Sequence, residues 1–435
     1  MTSRFWYRNS LKTIIASAML VSLNAYSQGS RPASYTVTDI GTLGGSYSFA
    51  YSINAAGMVA GGAATPDQID FVAQTPFIWD GGVPTSIRTL GGSACPDCNG
   101  EGAAVSANGK TAIISETAMS NGPNGEDFCE FGTHRQCLAA VWNNGVLTAL
   151  PTLPGGDNSE AFFANSRGEV VGVSEIGTLA DNTDGPCATP FQTHRFVAAK
   201  WSPAGSVIPL LPLLGDTVSF AFMNNNVGQT VGISGLCSNL ALPPFAGPSA
   251  PHAVIWDADG TPHDLGSPLG SAGVYNVASS INDLGQVGMN SMMADGTMHA
   301  FLWTNGVAQD VGTYPQGSIV TVIPCCNTIN DRGQMVGFSI DSNGDMRALL
   351  WQQQKQPPVD LNALLPADSP WFVLIPGGIN NAGGIAATAL NLNTFEVHAV
   401  LVSPIKGVGP AARGATKPPA LPANVQRFLH QNVHF

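Results

Sequence analysis

A short phrase, Ile-Asn-x-x-Gly-x-Val-Val-Gly, recurs seven times along the 435-residue chain and limits the fold more than any other feature. The second copy is the most altered, because Ser106 replaces the asparagine and Ile113 replaces the second glycine. Repeats of this size are typical of folds that stack one supersecondary unit. The first glycines of the copies, separated by 52, 59, 60, 57, 48 and 50 residues, are Gly57, Gly109, Gly168, Gly228, Gly285, Gly333 and Gly383.

Each copy contains four segments with the pattern of short β-strands. The first strand ends at the asparagine, and a valine-rich strand follows the Asn-x-x-Gly turn. Asparagine and glycine tolerate the backbone angles of a tight hairpin. The third strand is apolar at consecutive positions, as in AFLW ending at Trp303, which indicates burial on both faces. After a second turn, a closing strand such as the one ending at Gly312 completes the unit of a β-propeller.

The two ends of the repeat array complement each other. The segment YTVTDIG from Tyr35 matches the closing strands, and the seventh copy lacks such a strand after VHAVLVSP. We therefore predict an all-β, seven-bladed β-propeller with four antiparallel strands per blade, in which the N-terminal strand closes the last blade. We expect the tryptophans of the third strands to form core between blades: Trp79, Trp142, Trp201, Trp256, Trp303 and Trp351.

The chain termini indicate an exported protein. Residues 1–27 place three basic residues before a short apolar run and small residues, which is typical of a secretory signal peptide, with an uncleaved anchor as the alternative. We predict a short linker at 28–34, the propeller at 35–403 and a flexible Pro/Ala-rich tail at 404–435. A partner-binding or anchoring role is the alternative for the tail.

Charge and hydropathy narrow the classes of partner. Loss of the three basic residues of the signal peptide changes the net charge from −12 to −15, which disfavours nucleic acid and anionic lipid. No later segment is apolar for long enough to cross a bilayer. We expect a monomer outside the cell or in the periplasm, without a membrane span.

Eight cysteines in an exported chain favour disulfides. Cys129 and Cys137 flank one short segment and are predicted to close it. Cys95 and Cys98 have the spacing of a redox motif, but they lack a βαβ context, so a local structural bridge is favoured.

The other four cysteines leave the connectivity open. Cys187 and Cys237 occupy equivalent places in successive copies and are candidates to bridge neighbouring blades. Cys325 and Cys326 form either a vicinal disulfide or pairs with other cysteines.

Three recurring phrases, HAFLW, IN..GQ.VG and D[IL]GTLGG, together resemble the HAF-repeat family of extracellular bacterial proteins over about residues 35–403. The tripeptide stands literally at His299-Ala300-Phe301 and in near form at His252 and His398. The resemblance implies export and a propeller-like repeat fold, and it brings no catalytic residues.

The sequence contains none of the common catalytic or cofactor motifs, such as Gly-x-Ser-x-Gly, His-Glu-x-x-His or a phosphate-binding glycine loop. No cofactor is predicted. Asp257-Ala-Asp259 and Asp341-Ser-Asn-Gly-Asp345 have oxygen ligands at calcium-like spacing, but hairpin turns explain them better. Structural hydrogen bonding likewise explains the aligned histidines better than a metal site does.

The loops between the second and third strands are long in blades 1 to 4, at 62–74, 115–136, 175–194 and 235–250, and short in blades 5 to 7. Long loops on one face of a rigid scaffold are where binding residues concentrate. The loops of blades 2 and 3 both end in Thr-His-Arg, which suits either a shared structural hydrogen bond or a ligand contact. The candidate ligand-binding residues are Asp70, Phe71, Asp127, His134, Arg135, His194 and Arg195.

These features favour a noncatalytic propeller that binds an extracellular protein or glycan. A structural surface protein tethered through its tail is a further hypothesis. The main alternative is an exported glycan hydrolase or lyase, which needs two acid/base groups around one bond. The residues that could serve in it are Asp67, Asp70, Glu116, Glu126, Asp127, His134 and His194.

Overall fold

The repeat folds into seven four-stranded antiparallel blades arranged in a ring, so the prediction of a seven-bladed β-propeller is confirmed. In the part of the chain that is described, no helix is long and apolar enough to cross a membrane. The structure is a computed structural model that describes residues 34–68, 74–121, 126–179, 194–237, 252–268, 271–312, 314, 317–322, 326–341, 346–352 and 357–405.

Blades 1 to 6 run from the inner strand to the outer strand in chain order. Blade 1 comprises β2 (Ser48–Ile53), β3 (Val59–Ala63), β4 (Thr75–Trp79) and β5 (Thr85–Ser86). Blade 2 comprises β6 (Gly100–Val105), β7 (Thr111–Ser120), β8 (Arg135–Asn143) and β9 (Val146–Ala149). Blade 3 comprises β10 (Ser159–Ala164), β11 (Val170–Leu179), β12 (His194–Trp201) and β13 (Val207–Leu210).

The remaining blades follow the same plan. Blade 4 comprises β14 (Val218–Asn224), β15 (Thr230–Gly235), β16 (His252–Trp256) and β17 (Pro262–Asp264). Blade 5 comprises β18 (Ser271–Ile281), β19 (Val287–Met293), β20 (Met298–Thr304) and β21 (Val307–Asp310). Blade 6 comprises β22 (Gly317–Thr321), β23 (Met335–Asp341), β24 (Met346–Trp351) and β25 (Val359–Asp360), and blade 7 comprises β26 (Trp371–Ile379), β27 (Ile385–Asn391), β28 (Val397–Pro404) and β1 (Tyr35–Gly41).

The N-terminal strand closes the ring as predicted. Strand β1 pairs antiparallel with β28, and Val37 lies opposite Val402. This pairing supplies blade 7 with the outer strand that its own repeat lacks. Blades 5 and 6 are also joined by one parallel bridge between Met298 and Ile319.

The tryptophans of the third strands lie between blades, as predicted. Trp201 and Trp256 are fully buried, and each indole donates a hydrogen bond to the chain that leaves the preceding blade. The Trp201 Nε1 to Pro151 O distance is 2.7 Å, and the Trp256 Nε1 to Leu211 O distance is 2.8 Å. These side chains therefore join apolar packing to a satisfied polar group.

The asparagine of the repeated phrase fixes both its own hairpin and the next blade. In blade 5, Asn282 Oδ1 accepts the backbone N–H groups of Leu284 and Gln286, at 3.1 and 2.9 Å. Its Nδ2 donates to Asn330 O of blade 6 at 3.0 Å. The same link to the next blade recurs at Asn54, Asn165, Asn225, Asn330 and Asn380. The phrase is therefore scaffold, because its polar atoms are used to hold adjacent blades together.

A second polar ring lies on the same face, which we call the hairpin face. Asp283 accepts the Asn226 backbone N–H at 2.8 Å, and Asp331 accepts the Asp283 backbone N–H at 2.9 Å. Both aspartates are exposed or partly exposed. Their hydrogen bonds also run from blade to blade, so this face repeats one arrangement around much of the ring.

The histidines of the HAF phrases make the structural hydrogen bonds expected of them. His299 Nδ1 lies 2.7 Å from Asp310 Oδ2, and His398 Nδ1 lies 3.0 Å from Asp39 Oδ1. Burial opposes the ionisation of Asp39, but its bonds with His398 and the Gly41 N–H leave its pKa below the ordinary value. The third histidine, His252, pairs with Asp216 instead, at 3.0 Å.

The turn at Asp257 is a hairpin, as the sequence analysis favoured. Asp259 Oδ1 accepts the Thr261 backbone N–H at 3.0 Å, and Asp257 Oδ2 lies 2.8 Å from His263 Nε2. The second calcium-like segment, between Asp341 and Asp345, falls largely outside the described residues.

Candidate functional site

The face opposite the hairpin face differs from blade to blade. It carries the blade-to-blade connections and the loops between second and third strands, and we call it the loop face. As predicted, these loops are long in blades 1 to 4 and short in blades 5 to 7, at 294–297, 342–345 and 392–396. In blades 1 to 4 the second and third strands are separated by residues 64–74, 121–134, 180–193 and 236–251, of which 69–73, 122–125, 180–193 and 238–251 lie outside the described residues.

The predicted starts of two of these loops were wrong. The second strands of blades 2 and 3 continue to Ser120 and Leu179, so Glu116 and Glu175 lie within strands. Pairing persists because Glu116 lies opposite Cys137 and Glu175 lies opposite Phe196. These two carboxylates are thereby held on regular backbone rather than on loops.

Buried glutamates are concentrated in blades 2 and 3. An acidic side chain is seldom buried unless its charge is compensated. Six of the eight glutamates of the chain are buried, and all six lie here: Glu101, Glu116, Glu126, Glu130, Glu160 and Glu175.

In blade 2 the carboxylate of Glu116 has a cation beside it. Its Oε2 accepts the Asn99 backbone N–H at 2.6 Å and lies 4.0 Å from Arg135 Nη1. Its Oε1 accepts a hydrogen bond from the Thr133 hydroxyl. Arg135 also pairs with the exposed Asp97 at 3.0 Å. The guanidinium thus links a buried carboxylate to the protein surface.

The surroundings of Glu116 make its carboxyl harder to ionise than an exposed glutamate. Burial raises its pKa above the ordinary value, and hydrogen bonds from Asn99 and Thr133 and the charge of Arg135 oppose the shift only in part. A buried carboxyl with a raised pKa is the property that general acids use.

In blade 3 the equivalent carboxylate has a different neighbourhood. Glu175 Oε2 accepts the Asn158 backbone N–H and the Asn158 side-chain Nδ2, both at 2.9 Å. The same Nδ2 lies 3.1 Å from Oε2 of Glu126, which comes from the long loop of blade 2. Glu126 Oε1 in turn accepts the His194 backbone N–H at 3.1 Å. One asparagine therefore holds two buried carboxylates together.

A metal-ligand set results from this arrangement. One ligand atom each from Glu126, Glu175 and His194 lies within 4.8 Å of the others. His194 Nδ1 is 3.6 Å from Glu126 Oε1. In the described part of the chain, this is the group of three His, Cys, Asp or Glu residues with suitable separations.

Two disulfides fix the loop face around these clusters. Cys129–Cys137 ties the blade 2 loop to β8, and Cys95–Cys98 closes a turn next to Arg135, as predicted. Arg135 Nη1 lies 3.8 Å from Cys98 Sγ.

The remaining cysteine predictions are tested only in part. Cys237 is disulfide-bonded, but its proposed partner Cys187 lies outside the described residues, as does Cys325. Cys326 is buried.

The loop of blade 2 reaches over blade 3. Phe128, from this loop, packs edge-to-face against Phe196 of β12, with 6.2 Å between ring centroids. Phe128 is buried. The same loop supplies Glu126, so hydrophobic contact and a carboxylate both place it against the neighbouring blade.

The shared Thr-His-Arg triplet is not structurally equivalent in the two blades. Glu116 lies opposite Cys137 and Glu175 lies opposite Phe196. Arg135 is two residues before Cys137, so the structurally equivalent residue in blade 3 is His194, two residues before Phe196. The triplets are therefore offset by one residue.

Other predicted site residues have separate positions. Asp127 accepts the Gly132 N–H at 2.8 Å and caps its own turn. His134 and Arg195 are partly buried, and His134 has a positive φ of 54°. Asp67 is exposed, whereas Asp70 and Phe71 lie outside the described residues.

Sequence reasoning missed Glu175, Asn158 and Asn99. A signal was present in the sequence. Each third-strand tryptophan pairs with a residue of the second strand, and the residue five positions after that one is a glutamate only in blades 2 and 3. Other blades have small or apolar residues there, such as Gly235 and Met292. Register within the sheet, not motif matching, is needed to find them.

The sequence matches no protein-family model and no curated protein. The fold is similar to a puromycin-hydrolysing peptidase of Mycobacterium tuberculosis (12% identity, TM-score 0.47, 86% of this chain and 56% of that chain). It is also similar to the acylaminoacyl peptidase of Pyrococcus horikoshii (9%, 0.46, 79% and 49%) and to the β-propeller domain of the Trilobed protease from Pyrococcus furiosus (10%, 0.45, 81% and 93%). This chain spans about half the length of the first two proteins, and the likeness concerns the fold alone.

Proposed function

We propose that this protein is an exported, noncatalytic binding propeller that recognises an extracellular protein or glycan through the loop face of blades 1 to 4. The proposal includes membership of the HAF-repeat family, supported by the recurring phrases and by the hydrogen bonds that those phrases make. Two disulfides support an oxidising compartment.

The observation that carries the proposal is the contrast between the two faces of the ring. On the hairpin face, equivalent residues are used for identical blade-to-blade hydrogen bonds. On the loop face, blade 2 carries a long loop tied down by a disulfide, and blades 2 and 3 hold all of the buried glutamates. Binding sites concentrate on such variable loops, because a rigid scaffold can hold them without being altered itself.

A binding screen tests the proposal. The purified protein is applied to glycan arrays and to a library of secreted proteins, and each hit is remeasured with the double variant Asp97→Asn/His134→Ala. We expect at least tenfold weaker binding by this variant, since both side chains lie on the loop face of blade 2. Hits that bind both proteins equally would contradict the placement of the site.

The alternative function, a glycan hydrolase or lyase, is favoured by one observation, the raised pKa of buried Glu116. Each glycan hit is therefore incubated with the protein and analysed for cleavage products. The binding proposal predicts no products and unchanged glycan. Turnover that disappears in Glu116→Gln would establish the enzyme instead.

A further inference from the structure

The geometry points to a divalent metal site formed by Glu126, Glu175 and His194, with Zn²⁺ as the best-matched ion. This inference goes beyond the proposed binding function. It concerns a cation that joins the long loop of blade 2 to the strands of blade 3.

The separations suit a metal ion better than a hydrogen bond. Zinc bonds of 2.0–2.2 Å in a tetrahedral site place neighbouring ligand atoms about 3.4 Å apart. His194 Nδ1 and Glu126 Oε1 are 3.6 Å apart, which is longer than an N–H···O hydrogen bond. The third ligand atom, from Glu175, lies within 4.8 Å of both, so a shift of about 1 Å in side chains would complete the triangle.

The burial of the two carboxylates favours a bound cation. Glu175 is fully buried, and the side chain of Glu126 is 8% exposed. Two carboxylates that share the amide of Asn158 repel each other in a medium of low polarity. A divalent cation held between the two carboxylates would remove this repulsion.

Comparison with blade 2 shows that the position is specialised. There the residue equivalent to His194 is Arg135, whose fixed charge lies beside the buried carboxylate of Glu116. In blade 3 the guanidinium is replaced by an imidazole, which is a metal ligand, and a second carboxylate is added. Both changes make the charge of the cluster less positive, and both add a side chain that can bind a metal ion.

In the register of the sheet, His194 is the residue equivalent to Arg135. Glu175 lies opposite Phe196, and His194, two residues earlier, is on the same side of β12.

The surrounding hydrogen bonds orient the ligands. Glu175 Oε2 accepts the N–H groups of Asp157 and Asn158, at 3.2 and 2.9 Å. Glu126 is fixed from both ends, by the Asn158 amide and by the His194 N–H. Ligating carboxylates in metal sites are usually held in this way by outer hydrogen bonds.

The donor set selects the class of ion. Calcium and magnesium prefer sets made only of oxygen, whereas an imidazole with two carboxylates suits Zn²⁺ and similar transition metals. Such three-residue sets leave a fourth position to water or to another ligand. The ion would join Glu126 of the blade 2 loop to the start of β12 and hold that loop against blade 3.

Isothermal titration of the EDTA-treated protein with Zn²⁺ tests the inference. We expect one equivalent bound at this site, and at least 100-fold weaker binding in Glu126→Gln and in His194→Asn. The matched control is His299→Asn, which removes a histidine bonded to Asp310 on another blade and should leave the titration unchanged.

Two further measurements keep the result decisive. Glu126 precedes its strand in a loop, so Glu126→Gln should fold, which circular dichroism checks. A Co²⁺-loaded sample should show the visible absorption of a low-coordinate site, and this should be lost in His194→Asn. Absence of Zn²⁺ binding by the unaltered protein, or binding by both site variants that is as tight as that of the unaltered protein, would overturn the inference, as would Ca²⁺ binding tighter than Zn²⁺.

Discussion

Blades 2 and 3 accommodate a buried glutamate in different ways. Each buries a glutamate at the same place in its second strand and holds it with an asparagine that begins the inner strand. Blade 2 compensates Glu116 with Arg135, whose charge is fixed. Blade 3 has His194 at that position and brings in Glu126 from its neighbour. A repeat can thus keep its backbone while the exchange of one side chain, together with a second carboxylate from the neighbouring blade, changes an arginine–carboxylate pair into a candidate ligand set.

The largest effect should come from the asparagines. Asn158→Ala removes bonds to Glu175, Glu126 and the Cys137 N–H, so we expect a loss of about 3 kcal/mol in the free energy of unfolding. Asn99→Ala removes bonds to one carboxylate, that of Glu116, and to the Gln74 N–H, and should cost about 2 kcal/mol. Urea denaturation measures both. Equal losses would show that Asn158 does not hold the second carboxylate.

Converting blade 3 to the blade 2 pattern should abolish the metal site. In His194→Arg the guanidinium replaces a ligand with a fixed positive charge, and we expect Zn²⁺ affinity to fall by about 100-fold or more. Thermal unfolding with and without EDTA should then give the same midpoint, whereas the unaltered protein should be stabilised by Zn²⁺. A metal-dependent midpoint in this variant would show that His194 is not needed for the metal site.

A smaller, pH-dependent effect is expected in blade 2. The folded-state pKa of Glu116 lies above its unfolded value, so the carboxyl contributes stability below the unfolded pKa that is lost as pH rises through the folded pKa. Glu116→Gln lacks this titration. The free energy of unfolding of the unaltered protein, measured by urea denaturation, should therefore fall relative to that of Glu116→Gln as the pH rises above the ordinary glutamate pKa of about 4.3. Parallel curves would contradict the buried-acid assignment.

The smallest effect should come from the HAF tripeptide itself. The imidazole of His299 and Asp310 form a partly exposed pair, so His299→Asn should change stability by about 0.5 kcal/mol or less. Ligand binding should not change, because His299 lies on a blade without a long loop. A marked loss of binding would show that the repeated phrase has more than a scaffold role.

The fold was predictable because the repeat states it several times. Asn282 and its equivalents mark each inner hairpin, Trp201 and Trp256 mark the third strands, and the unmatched strand at Tyr35 indicates how the ring closes. Each of these signals depends on local pattern and on its recurrence, which a single sequence displays.

The candidate site was predictable only in part. His194 and Glu126 could be named, but Glu175 and Asn158 could not, since their meaning depends on contacts between blades. The Thr-His-Arg triplet even suggested the wrong equivalence, because the register of the sheet shifts it by one residue. Similar triplets were matched by their order along the chain, whereas the residues of the site are brought together by the register of the paired strands.

Hydrogen exchange of the protein with and without its first confirmed ligand tests most directly whether recognition belongs to the loop face. The account predicts slower exchange in the blade 2 loop around Phe128 and at the start of β12, with no change in the hairpins at Asn282 and Asn330. Protection confined to those hairpins, with the loop face unaffected, would contradict it.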